Sequence, residues 1–154
     1  MVQHPVRLAT RADARAAAQL LHDFNKEFDA PTPGPEVLAA RLARLLDQGD
    51  TFAYLAGSPA VGIALVTLRP NVWFDGPVAL LDELYVRPDL RGRTIGTDLI
   101  RAVADYCREL GVDFLEVNVD EGDKDALRFY VHHSFALRQP DTGERAFYLT
   151  RALG

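Results

Sequence analysis

Residues 80 to 100 hold two sets of side chains whose types and spacing could do chemistry. In the first, an apolar run from Leu80 to Val86 ends in Arg87-Pro88. It is followed by Arg91-Gly92-Arg93-Thr94-Ile95-Gly96 and then by an amphipathic pattern. That order reads as strand, loop and helix. The loop amides and the positive end of the helix dipole would converge on one point and bind an anion such as phosphate. Arg91 and Arg93 can add charge-assisted donors, as can Arg87, for which a plain solvated role is the simpler expectation. The second set is Asp82 and Glu83, two carboxylates inside the apolar run. Strand side chains alternate, so the two are expected on opposite faces. One face carries Val78, Leu80, Leu84 and Val86, the other Ala79, Leu81 and Tyr85. Either acid departs from the buried pattern. It can serve as a base or bind a substrate cation, or it can be a structural residue held by an ion pair or hydrogen bond. Together the two sets describe an enzyme that holds a pyrophosphate-bearing cofactor beside a group able to take a proton.

The rest of the chain must position them. Val6 to Thr10 can form a short strand with Thr10 as helix cap. Ala17, Leu20, Leu21, Phe24 and Phe28 then recur at helical spacing, which predicts a helix over 11–28. Prolines 31, 33 and 35 interrupt it. A second helix begins near Glu36 and ends at Gly49. Residues 51–56 and 61–68 read as a hairpin closed by Gly57-Ser58-Pro59, and 77–86 as the long strand already met. Ile95, Leu99, Val103, Tyr106 and Leu110 form one stripe of a helix over 95–110. A strand over 114–119, a helix over 123–133 and a closing hairpin of 135–138 with 146–151 complete the chain. The strand–helix–strand unit 77–119 requires a parallel pair joined by a right-handed crossover, while the flanking strands are hairpin-linked. The expected fold is α/β (α+β), a single domain over 1–154. Its mixed central sheet of about six to seven strands is flanked by four helices, with ligands gathered at the carboxyl ends of the parallel strands.

Composition narrows the class. The chain has 154 residues, 48% of them hydrophobic, and a net charge of −5, which argues against a general nucleic-acid binder. The N-terminus lacks a signal-peptide core and no apolar run reaches membrane-spanning length, so a cytoplasmic protein without a membrane partner is expected. The one cysteine, Cys107, excludes an internal disulfide. It reads as a buried inert thiol. The four histidines show no metal-ligand spacing, and no metal is expected.

The two ordered motifs around the loop and the last helix resemble those of the GCN5-related N-acetyltransferase (GNAT) family, over nearly the whole chain. The family pattern Arg/Gln-x-x-Gly-x-Gly/Ala, which holds the pyrophosphate of acetyl-CoA, is matched at Arg91 and Gly96 and departs at Thr94, where glycine is usual. A second pattern, Asn-x-x-Ala-x-x-Phe-Tyr followed by Gly-Phe, is matched at Ala126, Phe129 and Tyr130. Asp123 stands for the Asn and keeps a helix-capping side chain; Ser134 stands for the Gly before Phe135. Thr94 is tolerable in a helical first turn, whereas a left-handed backbone there would weaken cofactor binding.

The resemblance implies an N-acetyltransferase using acetyl-CoA, with transfer to a primary amine in a ternary complex. It favours Glu83 over Asp82 as base and implies Tyr130 as the acid at the departing thiolate, although Tyr130 could instead only pack. Backbone of Leu84, Tyr85 and Val86 is implied to meet the pantetheine arm. The pyrophosphate would lie on Arg91, Gly92, Arg93, Thr94, Ile95, Gly96 and Thr97. Asn118, Asp123, Ala126 and Phe129 complete the implied cofactor side, with Asn118 equally readable as a strand-end cap. Phe28, Asp29 and Trp73 are implied to wall the acceptor together with Asp82. The implied partner is a small-molecule amine, with a homodimer as the assembly the family allows. Peptide or protein acetylation, an aminoglycoside acceptor and a non-catalytic CoA-binding sensor are the alternatives.

Overall fold

The computed structural model describes residues 3–154. The described residues form two compact units, the first ending at Glu116 and the second running over Val117–Gly154.

In the first unit, β1 (Val6–Leu8) leads through a single 3₁₀ turn, Arg11–Asp13, into α1 (Ala14–Glu27). The turn has a chemical cause. Asp13 accepts the Thr10 amide at 2.8 Å and both terminal nitrogens of Arg7, at 2.7 and 2.8 Å, so the helix start is stapled to β1. The Arg7 guanidinium is the main reason the Asp13 carboxyl is lowered to about 2. Helix α2 (Pro35–Gln48) begins with proline in its first turn and stops at Gly49, whose φ of +83° closes the helix. Strands β2 (Thr51–Ala56), β3 (Gly62–Arg69) and β4 (Val78–Val86) follow, then a 3₁₀ turn at Pro88–Leu90, α3 (Ile95–Glu109) and β5 (Leu115–Val117).

The sheet has five strands in the order β1-β2-β3-β4-β5. The first four pair antiparallel, and α3 forms the crossover that returns the chain to β5, making the sheet mixed. Both faces are covered. Leu55, Ile63 and Tyr85 pack with Ala14, Ala17, Leu20 and Leu42 of α1 and α2, and the Tyr85 ring stacks on Phe24 at 5.0 Å. On the other face Ile95, Leu99 and Val103 of α3 are buried, and Tyr106 meets Phe52 edge-on at 4.8 Å. Gly62 allows this close approach: a Cβ there would stand 3.3 Å from Ile95, from Leu99 and from the Tyr85 carbonyl.

The second unit carries α4 (Lys124–His132). The expected closing hairpin is corrected here. Residues 135–138 and 146–151 form no strands, which leaves five rather than six or seven among the described residues. A turn at 139–144 does form, with the Gln139 amide bonded to the Glu144 carbonyl at 2.7 Å. Beyond it Phe147, Tyr148 and Leu149 are 73%, 72% and 85% exposed. Alternation supplies strand pattern, but pairing needs a neighbour. Among the described residues no helix is long and apolar enough to cross a membrane.

Candidate active site

Strand β4 is not a regular strand. Leu84 pairs with Ala64 and Glu83 with Leu65, but Val66 then pairs with Leu81. Asp82 is therefore the extra residue of a β-bulge, without a partner on β3. Side chains of paired residues share a face, so the bulge resets the alternation. Glu83 and Tyr85 stand with Leu65 and Ile63, on the α1–α2 side, and the Leu80–Thr67 pair stands there too. The Thr67 hydroxyl donates to Asp82 Oδ2, which holds the bulged carboxylate toward that same side. The expectation that Asp82 and Glu83 lie on opposite faces is thus overturned, because it rested on an unbroken period of two.

The electrostatics follow. Partial burial raises the Asp82 carboxyl above its ordinary value, opposed by the hydrogen bond from Thr67. Burial also raises Glu83, and the Asp82 charge adds to the rise. Neither carboxylate is ion-paired among the described residues. Glu83, half-buried and beside a like charge with no ion pair of its own, is thereby a proton acceptor of enhanced basicity.

Past the bulge, β4 delivers the chain to the anion loop. Ala79 donates its amide to the Phe114 carbonyl at 3.0 Å, which sets β5 beside the first half of β4. With three residues against nine, β5 covers β4 only up to the bulge. The backbone of Leu84, Tyr85 and Val86 lies beyond that length, while their other edge pairs with β3. The Tyr85 side chain is core, 4% exposed.

In the loop, Gly92 has φ +76° with nothing near a would-be Cβ. The first α-helical bond of α3 runs from the Asp98 amide to the Thr94 carbonyl at 2.9 Å, so the amides of Ile95 and Gly96 precede it and point out of the helix end. The geometry suits a phosphate. Thr94 is the N-cap of α3 at φ +71°, ψ −3°, with no capping bond from its side chain. It therefore holds the left-handed backbone that favours the family's glycine. A β-branched residue in that region costs about 1–2 kcal/mol.

Arg91 has a different environment from the one its motif suggests. Its Nε donates to the Val86 carbonyl at 2.9 Å, and its terminal nitrogens clamp Glu27 of α1 at 2.8 and 2.9 Å. The guanidinium lies 5.5 Å from the Tyr85 ring centre. Three of its five N–H groups are used, leaving one on each terminal nitrogen. Arg93 makes no ion pair among the described residues, and Arg87 pairs with Asp89 at 3.5 Å.

The expected acceptor wall is only partly brought together. Phe28 packs edge-on to Phe24 at 5.4 Å, joining the stack on Tyr85, and Asp29 follows at φ +54°. Trp73 is at the other end of β4, 84% exposed, in a loop ordered by Asn71. The Asn71 side-chain oxygen accepts the Trp73 and Phe74 amides, each at 2.9 Å.

In the second unit, Asp123 caps α4 by accepting the Ala126 amide at 3.1 Å, as its residue type predicts. Tyr130 touches Phe129 and Phe135, both at 5.3 Å between ring centres. Ser134, like Thr94, takes a left-handed conformation at φ +71°. Asn118 is exposed just after β5. Sequence reasoning missed Thr67, whose only signal is a hydroxyl in an otherwise apolar strand.

Comparison with known proteins agrees with this fold. The model of the acetyltransferase (GNAT) family matches residues 16–135. An aminoglycoside N(6')-acetyltransferase type 1 of Stenotrophomonas maltophilia is 36% identical over 110 residues, 69% of each chain. An aminoalkylphosphonate N-acetyltransferase of Salmonella typhimurium LT2 is 26% identical over 94 residues, 60% of this chain and 61% of that one. The crystal structure of a putative acetyltransferase from Arthrobacter sp. FB24 has a TM-score of 0.91 at 50% identity and covers 97% of this chain and 96% of its own. Matches to the curated relatives span from 26% to 69% of their lengths. A bulged strand feeding an anion loop, together with a family match over most of its length, identifies the chain as a member of the GNAT acetyltransferase family.

Proposed function

We propose that the chain is an acetyl-CoA-dependent N-acetyltransferase acting on the amine of a small molecule, with donor and acceptor bound together. The observation that carries the reading is the bulge of β4, beside which a half-buried Glu83 without an ion pair stands three residues before the end of the strand that opens into the anion loop. Acetyl-CoA supplies the activated acetyl thioester.

The chain's own residues do the rest. The Ile95 and Gly96 amides, Gly92, Arg93, Thr94, Thr97 and the spare N–H groups of Arg91 hold the pyrophosphate. The backbone of Leu84, Tyr85 and Val86 meets the pantetheine as a strand would, with Asn118, Asp123, Ala126 and Phe129 on the cofactor side. Glu83 takes the proton that the amine must lose as its nitrogen bonds the acetyl carbon and the carbon–sulfur bond breaks. Tyr130 gives a proton to the departing sulfur. Phe28, Asp29 and Asp82 bind the acceptor, and Trp73, at the far end of β4, is left out of that wall.

A specific observation favours one acceptor class. Asp82 and Glu83 place two carboxylates on one face with no ion pair to either among the described residues, the nearby Arg69 being paired with Glu116. That environment attracts an acceptor with a second positive charge near its reacting amine, as in an aminoglycoside, and repels an amine beside a phosphonate. The reading extends to a cytoplasmic homodimer, supported by the exposed Phe147, Tyr148 and Leu149 of the second unit.

A thermal-shift series with acetyl-CoA, CoA and inorganic phosphate tests the donor side. Both CoA species should raise Tm well beyond phosphate at equal concentration. No shift with either would overturn the reading, and with it the sensor alternative.

A further inference from the structure

The bulge leaves one feature to be accounted for: what fixes Asp82. A bulged residue lacks the ladder contacts that hold its neighbours, and Asp82 pairs with nothing on β3. Its one side-chain hydrogen bond among the described residues comes from the Thr67 hydroxyl. Thr67 lies on β3 opposite Leu80, on the sheet face that also carries Leu65 and Glu83. It is the one hydroxyl in the strand Gly62–Arg69, whose other members are apolar apart from the terminal arginine. A valine there would pack as well and would suit a strand at least as well. The hydroxyl is therefore not explained by packing.

We infer that Thr67 is a positioning residue for the acceptor site: its hydroxyl holds the Asp82 carboxylate beside Glu83, where it receives the positive charge of the acceptor. The inference rests on the acetyltransferase reading for the identity of the acceptor but not for the geometry. Thr67 donates a hydrogen bond, Asp82 accepts it through Oδ2, and Oδ1 remains to face the incoming ammonium group. Glu83 shares this face with Asp82, and so by the same alternation does Arg69 at the end of β3, which pairs with Glu116 at 3.8 Å rather than with either acid.

The experiment compares Thr67→Val, which keeps the shape and removes the donor, with Thr67→Ser, which keeps the donor, using acetyl-CoA and the aminoglycoside sisomicin. Thr67→Val should raise the KM for sisomicin about fivefold to tenfold, the effect of losing roughly one hydrogen bond. The KM for acetyl-CoA and kcat should stay within about twofold. Thr67→Ser should restore the wild-type KM, and in an Asp82→Ala background, which has no acceptor for the hydroxyl, Thr67→Val should have no further effect. Equal changes in the KM values of donor and acceptor, or a full effect on top of Asp82→Ala, would overturn the inference. A second measurement needs no acceptor: the pH titration of the Asp82 carboxyl carbon by NMR. Thr67→Val should move its midpoint up and Thr67→Ser should not. An unmoved midpoint in Thr67→Val overturns the positioning role even if transfer succeeds. A moved midpoint in a protein that acetylates no amine would uphold the geometry and sink the acetyltransferase reading instead.

Discussion

Glu83 sits where its own charge is opposed, first by burial and then by Asp82. Its carboxyl is raised in the folded protein relative to the unfolded chain, so the folded state binds its proton more tightly. Stability therefore falls as pH rises from the unfolded value, about 4.3, through the raised folded value, and the full cost is present above it. Glu83→Gln should raise Tm by a few degrees at pH 7. The gain should vanish near pH 4, measured by thermal melts across that range. The same variant should lower kcat about 10²- to 10³-fold if Glu83 is the base. The acidic limb of kcat/KM should lie above the ordinary glutamate value and move down in Asp82→Asn, because the Asp82 charge contributes to the rise. A limb unmoved by that change would separate Asp82 from the base. Thr94 tells the opposite story, of strain rather than charge. At φ +71°, Thr94→Gly relieves about 1–2 kcal/mol, offset by about 0.5–1 kcal/mol of glycine entropy. The expected result is a small gain in stability by denaturant titration and tighter CoA binding by calorimetry. Both acids and the odd threonine were visible in the sequence as departures from pattern. Their geometry was not, since a bulge is a property of two strands in register and a φ angle a property of the closed loop.

At the scale of elements, the helices were legible because a 3.6-residue period over fourteen or fifteen positions is hard to mistake. The start of α1 shows what periodicity leaves out. Its first turn is 3₁₀ and is stapled by Asp13 to Arg7 and Thr10. Asp13→Asn should cost about 1–2 kcal/mol near neutral pH. Because Arg7 lowers the Asp13 carboxyl to about 2, its contribution is present above the unfolded value and is lost as pH falls toward 2. Urea melts of wild type and variant should converge in that window. Arg91 joins two elements that the sequence kept apart, holding the anion loop to the end of α1 through Glu27. No local pattern announces a contact across 64 positions. Helix α4 carries the remaining proposed chemistry. Tyr130→Phe keeps the ring contacts with Phe129 and Phe135. It should lower kcat at least tenfold while acetyl-CoA affinity, read by calorimetry, stays the same. Wild-type turnover would remove Tyr130 from the acid's role.

Across the whole molecule, the α/β class and the crossover through α3 followed from the order of patterns, and the family match over residues 16–135 agrees. The strand count did not follow. Alternation from Ala146 to Arg151 describes a segment able to pair, not one that has done so. The functional weight falls on one short stretch of β4, where two carboxylates share a face. From that stretch comes the claim that the protein moves an acetyl group from acetyl-CoA to a cationic amine. Thiol release from acetyl-CoA, followed across sisomicin, a simple diamine, a peptide N-terminus and an aminoalkylphosphonate, tests it most directly. The predicted result is rapid release with sisomicin, little with the phosphonate, and at least a hundredfold loss in Glu83→Gln. Release no faster than background hydrolysis with every amine, from a protein that binds acetyl-CoA, would contradict the claim and leave a CoA-binding domain in its place.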